Sequence, residues 1–199
     1  MQVSGITEKG CAFCINTRPA WTGFTRLSAY KPPLSDWIVT MKFRGQWKWA
    51  QWFGGELASA AHAPGRGDRT VICPVPMHWR RRWWRGYNQA WLMAEALGRA
   101  WGLPVAHLLR RTRYTRPQIS VPLSQRRANV RGVFAAHPVD LTGWDVWLVD
   151  DVKTTGSTMT ACARALRRRG AAHVQALAAA VADPRHADFQ NLGAGKPEK

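Results

Sequence analysis

The stretch VWLVDDVKTTGST, residues 146–158, ends an apolar run in two carboxylates and follows them at once with hydroxyls and a glycine. A segment with helical spacing comes next, so the order predicts a strand, a tight loop and a helix. Successive backbone N–H groups at a helix N-terminus bind anions, and glycine lets a ligand approach closely. Because carboxylates bind sugar hydroxyls, the stretch predicts a site for a sugar phosphate.

Whether both carboxylates can bind one ligand depends on the path of the backbone. Neighbouring strand residues point to opposite faces, so Asp150 and Asp151 reach one ligand only if the chain is already leaving the strand after Val149. The alternative is structural: the carboxylates solvate a strand end, and Thr155 or Ser157 caps the helix. The density of these features within one short stretch favours a binding site at the carboxyl end of the strand.

The rest of the chain alternates between strand and helix patterns, which predicts a mainly parallel α/β sheet flanked by helices. Proline cannot donate to a strand ladder, so Pro74 is predicted to end its strand. The predicted strands are 70–73, 146–149 and 173–181. The predicted helices are 35–43, 47–62, one from the N-cap Asn88 to Trp101 with Gly102 as its stop, and 157–169 closed by Gly170.

The chain has 199 residues, which suits one domain with a hydrophobic core. We predict a short leader at 1–30, the main domain at 31–190 and a disordered tail at 191–199. Residues 110–132 are polar and arginine-rich, and predict a mobile loop or a hairpin with a short helix near 124–129. No apolar run is long enough to cross a bilayer and no secretory signal is recognisable, so we expect a soluble, cytoplasmic protein without membrane insertion.

The charge is strongly positive, with 29 Lys and Arg against 12 Asp and Glu, a net +17. Such a field attracts polyanions, but an arginine-biased composition with solvated helix faces explains it equally well. Nine of the twelve tryptophans lie between Trp37 and Trp101. Tryptophan beside arginine can stack nucleic-acid bases, whereas packing in the core is the more general use.

The four cysteines do not indicate a disulfide framework in a chain of this size. Cys73 and Cys162 lie in apolar patterns and are predicted to be small buried residues. Cys11 and Cys14 form a CxxC, half of a structural zinc set, with no second pair at suitable spacing. Cys11 and Cys14 are candidate zinc ligands, but they supply only two of the four that a structural zinc site needs.

Together these segments make the chain similar to a known family. The stretch 146–158 resembles the phosphoribosyl diphosphate (PRPP) signature of type I phosphoribosyltransferases. The chain as a whole, over roughly residues 11–182, resembles the competence protein F family. The pieces that carry the resemblance are KFRG (42–45), PVPMHW (74–79), RGYNQA (85–90), PQ (117–118), RRANV (126–130) and GVF (132–134).

The resemblance implies a fold and a role for each piece. The fold would be that of type I phosphoribosyltransferases, with residues 110–131 as a flexible hood and a remnant zinc-ribbon-like segment at the N-terminus. The ribose hydroxyls would bind Asp150 and Asp151, and the 5′-phosphate would bind Thr154, Thr155, Gly156, Ser157 and Thr158. The diphosphate would lie beside Pro74, Val75 and Pro76, in a cleft also lined by Arg85, Asn88 and Gln89.

Three points stay open beside the resemblance. The segment 85–89 reads alternatively as a helix cap with solvated polar residues. Members of the family carry two CxxC pairs, so here the ribbon is truncated, the start lies upstream, or zinc has been lost. Lys153 stands at a variable position of the signature, where it either assists the phosphate or points outward into solvent.

The resemblance also implies a reaction, the displacement of diphosphate from C1 of PRPP by a nucleophile, with Mg²⁺ bridging diphosphate and ribose oxygens. No residue is identified as a general base, and the acceptor is not identified. The alternative is a non-enzymatic component of natural transformation that binds single-stranded DNA or a competence helicase, which the positive charge favours. The sequence predicts no oligomeric state.

Overall fold

The computed structural model describes residues 19–64, 69–112 and 132–182. Several predictions fall outside these residues: the CxxC of Cys11 and Cys14, the short helix near 124–129 with the family pieces at 117–118 and 126–130, and the tail at 191–199.

The core of the molecule is a parallel sheet of four strands in the order β1-β6-β5-β2. β5 is central and continuous with β6, from the pair Asp145–His173 to the pair Lys153–Val181. On its other side β5 pairs with β2. The predicted mainly parallel α/β sheet is confirmed. The strands are β1 (Gly23–Ala29), β2 (Thr70–Pro74), β5 (Asp145–Lys153) and β6 (His173–Val181).

Helices cover both faces of this sheet, as the alternating pattern requires. Three helices pack on one face around a buried cluster that includes Phe53, Leu97 and Val149. One helix and a two-stranded hairpin cover the other face, around Leu148 and Cys162. The elements are α1 (Leu34–Phe43), α2 (Lys48–Ala60) and α4 (Gln89–Trp101) on the first face, and α5 (Ser157–Arg167), β3 (Leu109–Arg111) and β4 (Phe134–Ala136) on the second.

The ends of α4 follow the predicted local signals. The Asn88 Oδ1 atom accepts a hydrogen bond from the Ala90 N–H at 3.2 Å. At the other end Gly102 adopts the left-handed conformation, with φ 67° and ψ 30°. Both caps are set by residues adjacent to the helix, which is why the sequence pattern locates this element.

Four elements were missed by the sequence patterns: β1, β3, β4 and the short helix α3 (Trp79–Arg85). β1 lies within the range assigned to the leader, yet it is hydrogen-bonded along β6 from Gly23 to Ala29. Its strand is defined by this pairing with β6 rather than by its own weakly alternating residues. β3 and β4 pair antiparallel, so the ends of the arginine-rich segment meet in a hairpin.

Two smaller predictions are tested by burial and helix length. Cys73 and Cys162 are free and fully buried, as expected of small core residues. Within the described ranges, no helix has both the length and the apolar character that a bilayer crossing needs.

Candidate functional site

The loop after β5 has the geometry of an anion-binding turn. Gly156 is left-handed, with φ 73° and ψ 5°, and immediately precedes α5. The Thr155 Oγ1 atom lies 2.7 Å from the Ser157 Oγ atom and accepts a 3.3 Å hydrogen bond from the Ser157 N–H. The loop is therefore held compactly at a helix N-terminus, where the helix dipole favours a negative charge. The N-cap residue of α5 is Gly156, and the Thr155 hydroxyl, one residue before it, accepts from the first N–H of the helix, a structural role of the kind that the alternative predicted.

The two carboxylates project from β5 on opposite sides. The strand does not end at Val149, as the sequence predicted, but continues in register with β6 to Lys153. Val149 belongs to the cluster under α1, α2 and α4, whereas Leu148 belongs to the cluster under α5. By the alternation of a strand, Asp151 follows Val149 to the first face and Asp150 follows Leu148 to the second. The β6 ladder keeps the chain extended where the loop was expected to begin, so the two carboxylates do not face a ligand from the same side.

Asp151 is paired with a cation from α1. The Lys42 Nζ atom lies 3.0 Å from the Asp151 Oδ1 atom, and the two side chains are only 13% and 16% exposed. Tyr30 is on the same side: burial, and secondarily the charge of Asp151, raises the pKa of Tyr30 to about 12. Lys42 thus fixes the position of one carboxylate of the candidate site.

Asp150 is in a different electrostatic setting. Burial, followed by the neighbouring charge of Asp151, raises the pKa of Asp150 to about 7. The Asp150 Oδ1 atom accepts a 2.9 Å hydrogen bond from the Asp151 N–H, and the positive charges of Lys42 and Arg111 act in the opposite direction to burial. A cation or a hydroxyl donor that binds beside this carboxyl stabilises its charged form and lowers its pKa.

We expect the Asp150→Asn variant to lose less stability than the wild type when the pH rises from about 5 to about 8. The folded-state pKa is raised above the unfolded value, so the contribution of Asp150 is complete below the unfolded pKa and is lost as the pH rises through about 7. Urea unfolding at a series of pH values measures this difference.

Asp140→Asn is the control for that series. Hydrogen bonds from Thr142 lower the pKa of Asp140, so its titration falls below this pH window. A wild type and an Asp150→Asn variant with parallel stability profiles would contradict the raised pKa.

Lys153 lies beneath the loop, and the outward orientation is wrong. It is 7% exposed, and its Nζ atom lies 5.5 Å from the centroid of the Phe24 ring. Its Cε atom would be 3.3 Å from a β-carbon placed on Gly156. The charge is therefore held beside Gly156 at the base of the loop and does not point into solvent.

The turn after β2 lies beside β5, as expected of neighbouring parallel strands. Pro74 is the last residue of β2, and the Val75 N–H donates to the Val149 carbonyl oxygen at 2.8 Å. A proline fits here because β2 is an edge strand of the described sheet, although Ile72 also exchanges hydrogen bonds with the extended segment 104–106. The turn formed by Pro74, Val75 and Pro76 thus begins at the carboxyl end of β2, beside the part of β5 that carries the two carboxylates.

Arg85, Asn88 and Gln89 follow this turn, but they differ in what they contact. Asn88 uses both ends of its amide inside the protein, because its Nδ2 atom donates to the Val75 carbonyl oxygen at 3.3 Å while its Oδ1 atom caps α4. Arg85 lies over the Phe43 ring, with its Cζ atom 5.1 Å from the ring centroid. Gln89 is 1% exposed, so the expectation of a solvated polar residue is wrong for Gln89.

The helix α3 displays the most exposed aromatic surface in the described chain. Trp79, Trp83 and Trp84 are 66%, 87% and 64% exposed, and the arginines at 80–82 lie between Trp79 and Trp83 in the sequence. Arg80 stacks on Trp79 with its Cζ atom 5.3 Å from the ring centroid. Packing in the core therefore does not account for these three tryptophans.

The donor atoms of this site suit the expected Mg²⁺ only as a hydrated ion that arrives with a phosphate ligand. In the described ranges no cluster of three His, Cys, Asp or Glu side chains could enclose a metal. Two adjacent carboxylates are nonetheless the hard oxygen donors that suit a hydrated Mg²⁺ carried by a phosphate ligand. One of these carboxylates, Asp150 or Asp151, would hold such an ion through its oxygen atoms, where the ion would neutralise charge on a leaving diphosphate.

Two residues of the site were not assigned from the sequence. Lys42 belongs to the KFRG piece, and Arg111 is the last residue of β3, close enough to influence the pKa values of Asp150 and Cys162. The family piece at 42–45 was a signal for Lys42. Nothing local indicated Arg111, because only the hairpin brings it to β5.

Known proteins with similar sequences indicate the family of this chain. No protein-family model matches the chain. The chain is 31% identical over 176 residues to competence protein F of Haemophilus influenzae, covering 83% of this chain and 75% of that protein. It is 32% identical over 173 residues to the DNA utilization protein YhgH of Escherichia coli K12, covering 83% and 74% respectively.

Among solved structures, the glutamine PRPP amidotransferase of Bacillus subtilis, complexed with ADP and GMP, superposes with a TM-score of 0.44. The identity is 23%, and the match covers 65% of this chain but only 25% of that one.

The assignment of the chain to a family rests on these sequence relatives alone. Two of them, at 31% and 32% identity, are matched over about three quarters of their own length. The family pieces at 42–45, 74–79, 85–90 and 132–134 all lie within or beside the described site. The chain therefore belongs to the competence protein F family.

Proposed function

We propose that the chain binds PRPP together with Mg²⁺ and transfers its phosphoribosyl group to a nucleophilic acceptor. The observation that carries this proposal is the turn at Gly156, which begins α5 directly after the two carboxylates of β5. An anion-binding turn and sugar-binding carboxylates at the carboxyl edge of one strand match the two chemical groups of a ribose phosphate.

Each part of the site has a role in this reaction. The N–H groups and hydroxyls of 154–158 bind the 5′-phosphate, and Lys153 supports the loop from below. Asp150 and Asp151 bind the ribose hydroxyls from opposite sides of the end of β5, one carboxylate on each side. Positive charge develops at C1 as the diphosphate leaves, so the protein orients the reactants and stabilises charge rather than supplying a nucleophile. The bond from C1 to the diphosphate oxygen breaks, and a bond from C1 to the acceptor forms.

Calorimetric titration of the full chain with PRPP and Mg²⁺ tests the binding step. We expect saturable binding of PRPP, and an absence of binding would contradict the site. Transfer is tested by screening nitrogenous bases as acceptors, with release of diphosphate as the readout.

A second candidate function, the binding of single-stranded DNA, is supported by the surface of α3. Exposed tryptophans stack on bases of any sequence, and neighbouring arginines contact the phosphates. The net charge of +17 favours such a partner, and the names of the relatives refer to competence and DNA utilization. This surface is formed by other residues than the loop at Gly156, so the two candidate functions can be tested with different variants.

We expect Trp83→Ala to weaken binding of single-stranded DNA by roughly fivefold or more, since stacking of one base on an aromatic side chain contributes about 1–3 kcal/mol. Trp83→Phe keeps an aromatic face and should retain most of the affinity. Gel shifts across a salt series measure both variants, and the wild type should lose affinity steeply as salt rises. Equal affinity of the alanine variant and the wild type would exclude α3 as the binding surface.

A further inference from the structure

A groove lies between the segment that leads into β1 and the C-terminal half of α5. Its volume is about 550 Å³, which is within the range of pockets that bind small molecules. The chain at 19–22 forms one side, with the ring of Trp21, and the other side is formed by Arg164, Arg167 and Arg168 of α5. No acidic side chain is among these lining residues, so the groove combines an aromatic wall with an uncompensated positive charge.

The three arginines of the groove differ in what they contact. The Arg167 Nη1 atom donates to the Ala171 carbonyl oxygen at 3.1 Å and also contacts the Ala172 carbonyl oxygen, so this side chain is used at the end of α5. Arg164 and Arg168 are exposed. The two ion pairs found within the described ranges involve other residues, and neither of these two side chains makes a hydrogen bond there. Two guanidinium groups are therefore available to a ligand.

The position of these arginines has a structural alternative. Cations in the last turn of a helix stabilise it through the helix dipole, which accounts for basic residues at this end of α5. It does not account for their concentration on one groove, because Arg164 and Arg168 are one helical turn apart and like charges at this spacing repel. An anion bound between them removes that repulsion, and guanidinium groups suit the oxygens of a phosphate.

Trp21 is held in place beside these arginines. Its ring centroid lies 6.5 Å from that of Phe24, and its Cη2 atom would be 2.8 Å from a β-carbon placed on Gly156. The ring is thus fixed between β1 and the first turn of α5, yet it is only half-buried and lines the groove. An aromatic side chain in this setting binds a planar base by stacking.

The groove is a different place from the turn at Gly156. α5 starts directly after Gly156, and an α-helix rises 1.5 Å per residue, so Arg164 and Arg168 lie roughly 12 Å and 18 Å further along the helix. A phosphate bound by these two arginines is therefore not the 5′-phosphate of the sugar-phosphate site. Trp21 lies between the two places.

We propose that this groove is a second binding site and takes a nucleotide, with the base against Trp21 and the phosphates on Arg164 and Arg168. The site goes beyond the proposed function and does not depend on the binding of PRPP. An aromatic wall alone favours a nucleoside, and a pair of arginines alone favours an inorganic phosphate. Both in one groove favour a molecule that carries a planar base and phosphate groups together.

Calorimetry of the full chain without Mg²⁺ tests the two halves of the ligand, with ATP, adenosine and inorganic triphosphate as probes. ATP should bind about fivefold or more tightly than triphosphate, because only ATP stacks a base. It should bind about tenfold or more tightly than adenosine, because hydrogen bonds to charged groups are lost with the phosphates. Equal affinities for ATP and triphosphate would contradict a nucleotide site.

Variants of the two walls should affect different probes. Arg164→Gln with Arg168→Gln should weaken ATP about tenfold or more and change the affinity for adenosine by less than about twofold. Trp21→Leu should weaken ATP about fivefold and leave triphosphate within about twofold, which also shows that the variant is folded. Trp21→Phe should retain most of the affinity for ATP. Arg169→Gln is the matched control, since Arg169 is exposed and adjacent but does not line the groove.

The double variant Asp150→Asn with Asp151→Asn shows where ATP binds. It should bind ATP as the wild type does, because its carboxylates belong to the sugar-phosphate site. If this variant loses ATP while the double arginine variant keeps it, ATP occupies that site and the inference is wrong.

Three further results would also overturn the inference. An equal loss of ATP in Arg169→Gln and in the double arginine variant would indicate general attraction by the positive surface. A loss of affinity for a short single-stranded oligonucleotide, but not for ATP, would assign the groove to nucleic acid. Failure of the wild type to bind ATP would remove the nucleotide site and leave the proposed function standing.

Discussion

The double variant Asp150→Asn with Asp151→Asn is expected to abolish measurable PRPP binding, a loss of at least about 100-fold. Hydrogen bonds to charged groups contribute about 1.5–3 kcal/mol each, and two of them together correspond to a factor of that size. Asparagine keeps the shape of both side chains and the Oδ1 atom that accepts from the Asp151 N–H. The loss therefore reports the charges and not the strand.

The single variants separate the two sides of β5. Asp150→Asn removes a buried charge and should leave stability near neutral pH unchanged or raised, because the folded-state pKa is raised. Asp151→Asn leaves Lys42 without its carboxylate at 3.0 Å and should lower stability. Calorimetry and urea unfolding on each single variant measure both effects.

Asp145→Asn is the matched control. Asp145 begins the same strand, and its exposed carboxylate pairs with His173 at 2.9 Å, remote from the carboxyl edge. PRPP affinity should be unchanged in this variant. Retention of PRPP binding by the double variant would show that the sugar is bound elsewhere.

Gly156→Ala is expected to lower both stability and phosphate affinity, the second large effect. The residue is left-handed at φ 73°, where a side chain costs about 1–2 kcal/mol. A β-carbon there would also lie 2.8 Å from the Trp21 Cη2 atom. The turn must shift to relieve this contact, which displaces the N–H groups aimed at the phosphate, and we expect about tenfold weaker binding of PRPP and ribose 5-phosphate alike.

Gly102→Ala separates strain from binding. Gly102 is left-handed as well, at φ 67°, but a β-carbon there would meet nothing within 4 Å. This control should lose stability of similar size in urea unfolding and keep its affinity for both ligands. If Gly156→Ala also kept its affinity, the turn would be a structural cap and not the phosphate site.

These predictions assign different parts of one ligand to different residues. Changes at Gly156 should weaken the binding of every ligand with a 5′-phosphate, and changes at Asp150 and Asp151 should weaken the binding of every ligand with ribose hydroxyls. Agreement between the two groups of variants is a stronger test of the arrangement than any single loss of activity.

The elements that the sequence located are those whose ends are set by neighbouring residues. The helix α4 begins at Asn88 and stops at Gly102, as predicted, and β6 has the predicted bounds 173–181. The turn at Gly156 was predicted for the same reason, since glycine and hydroxyl residues act on their own backbone. A cap or a turn carries its signal within a few residues, and such signals can be read from the chain alone.

Other features required contacts between distant residues. β1 is a strand because β6 pairs with it, and β5 runs to Lys153 because the same ladder continues past the carboxylates. The short helix α3 combines arginine and tryptophan without an apolar stripe facing the core. Periodicity fails in these places because hydrogen bonds to another strand, or exposure to solvent, override local preference.

From the sequence alone came the mainly parallel α/β sheet, the turn at Gly156 and the family, because caps, turn residues and short motifs are local. Only the tertiary structure separated the faces of Asp150 and Asp151, paired Lys42 with Asp151, and distinguished the capping Asn88 from Gln89, whose amide has no partner among the described residues. Such pairings depend on which elements pack together across the sheet. Burial and hydrogen bonding between remote residues are properties of the folded chain, and no short stretch of residues encodes them by itself.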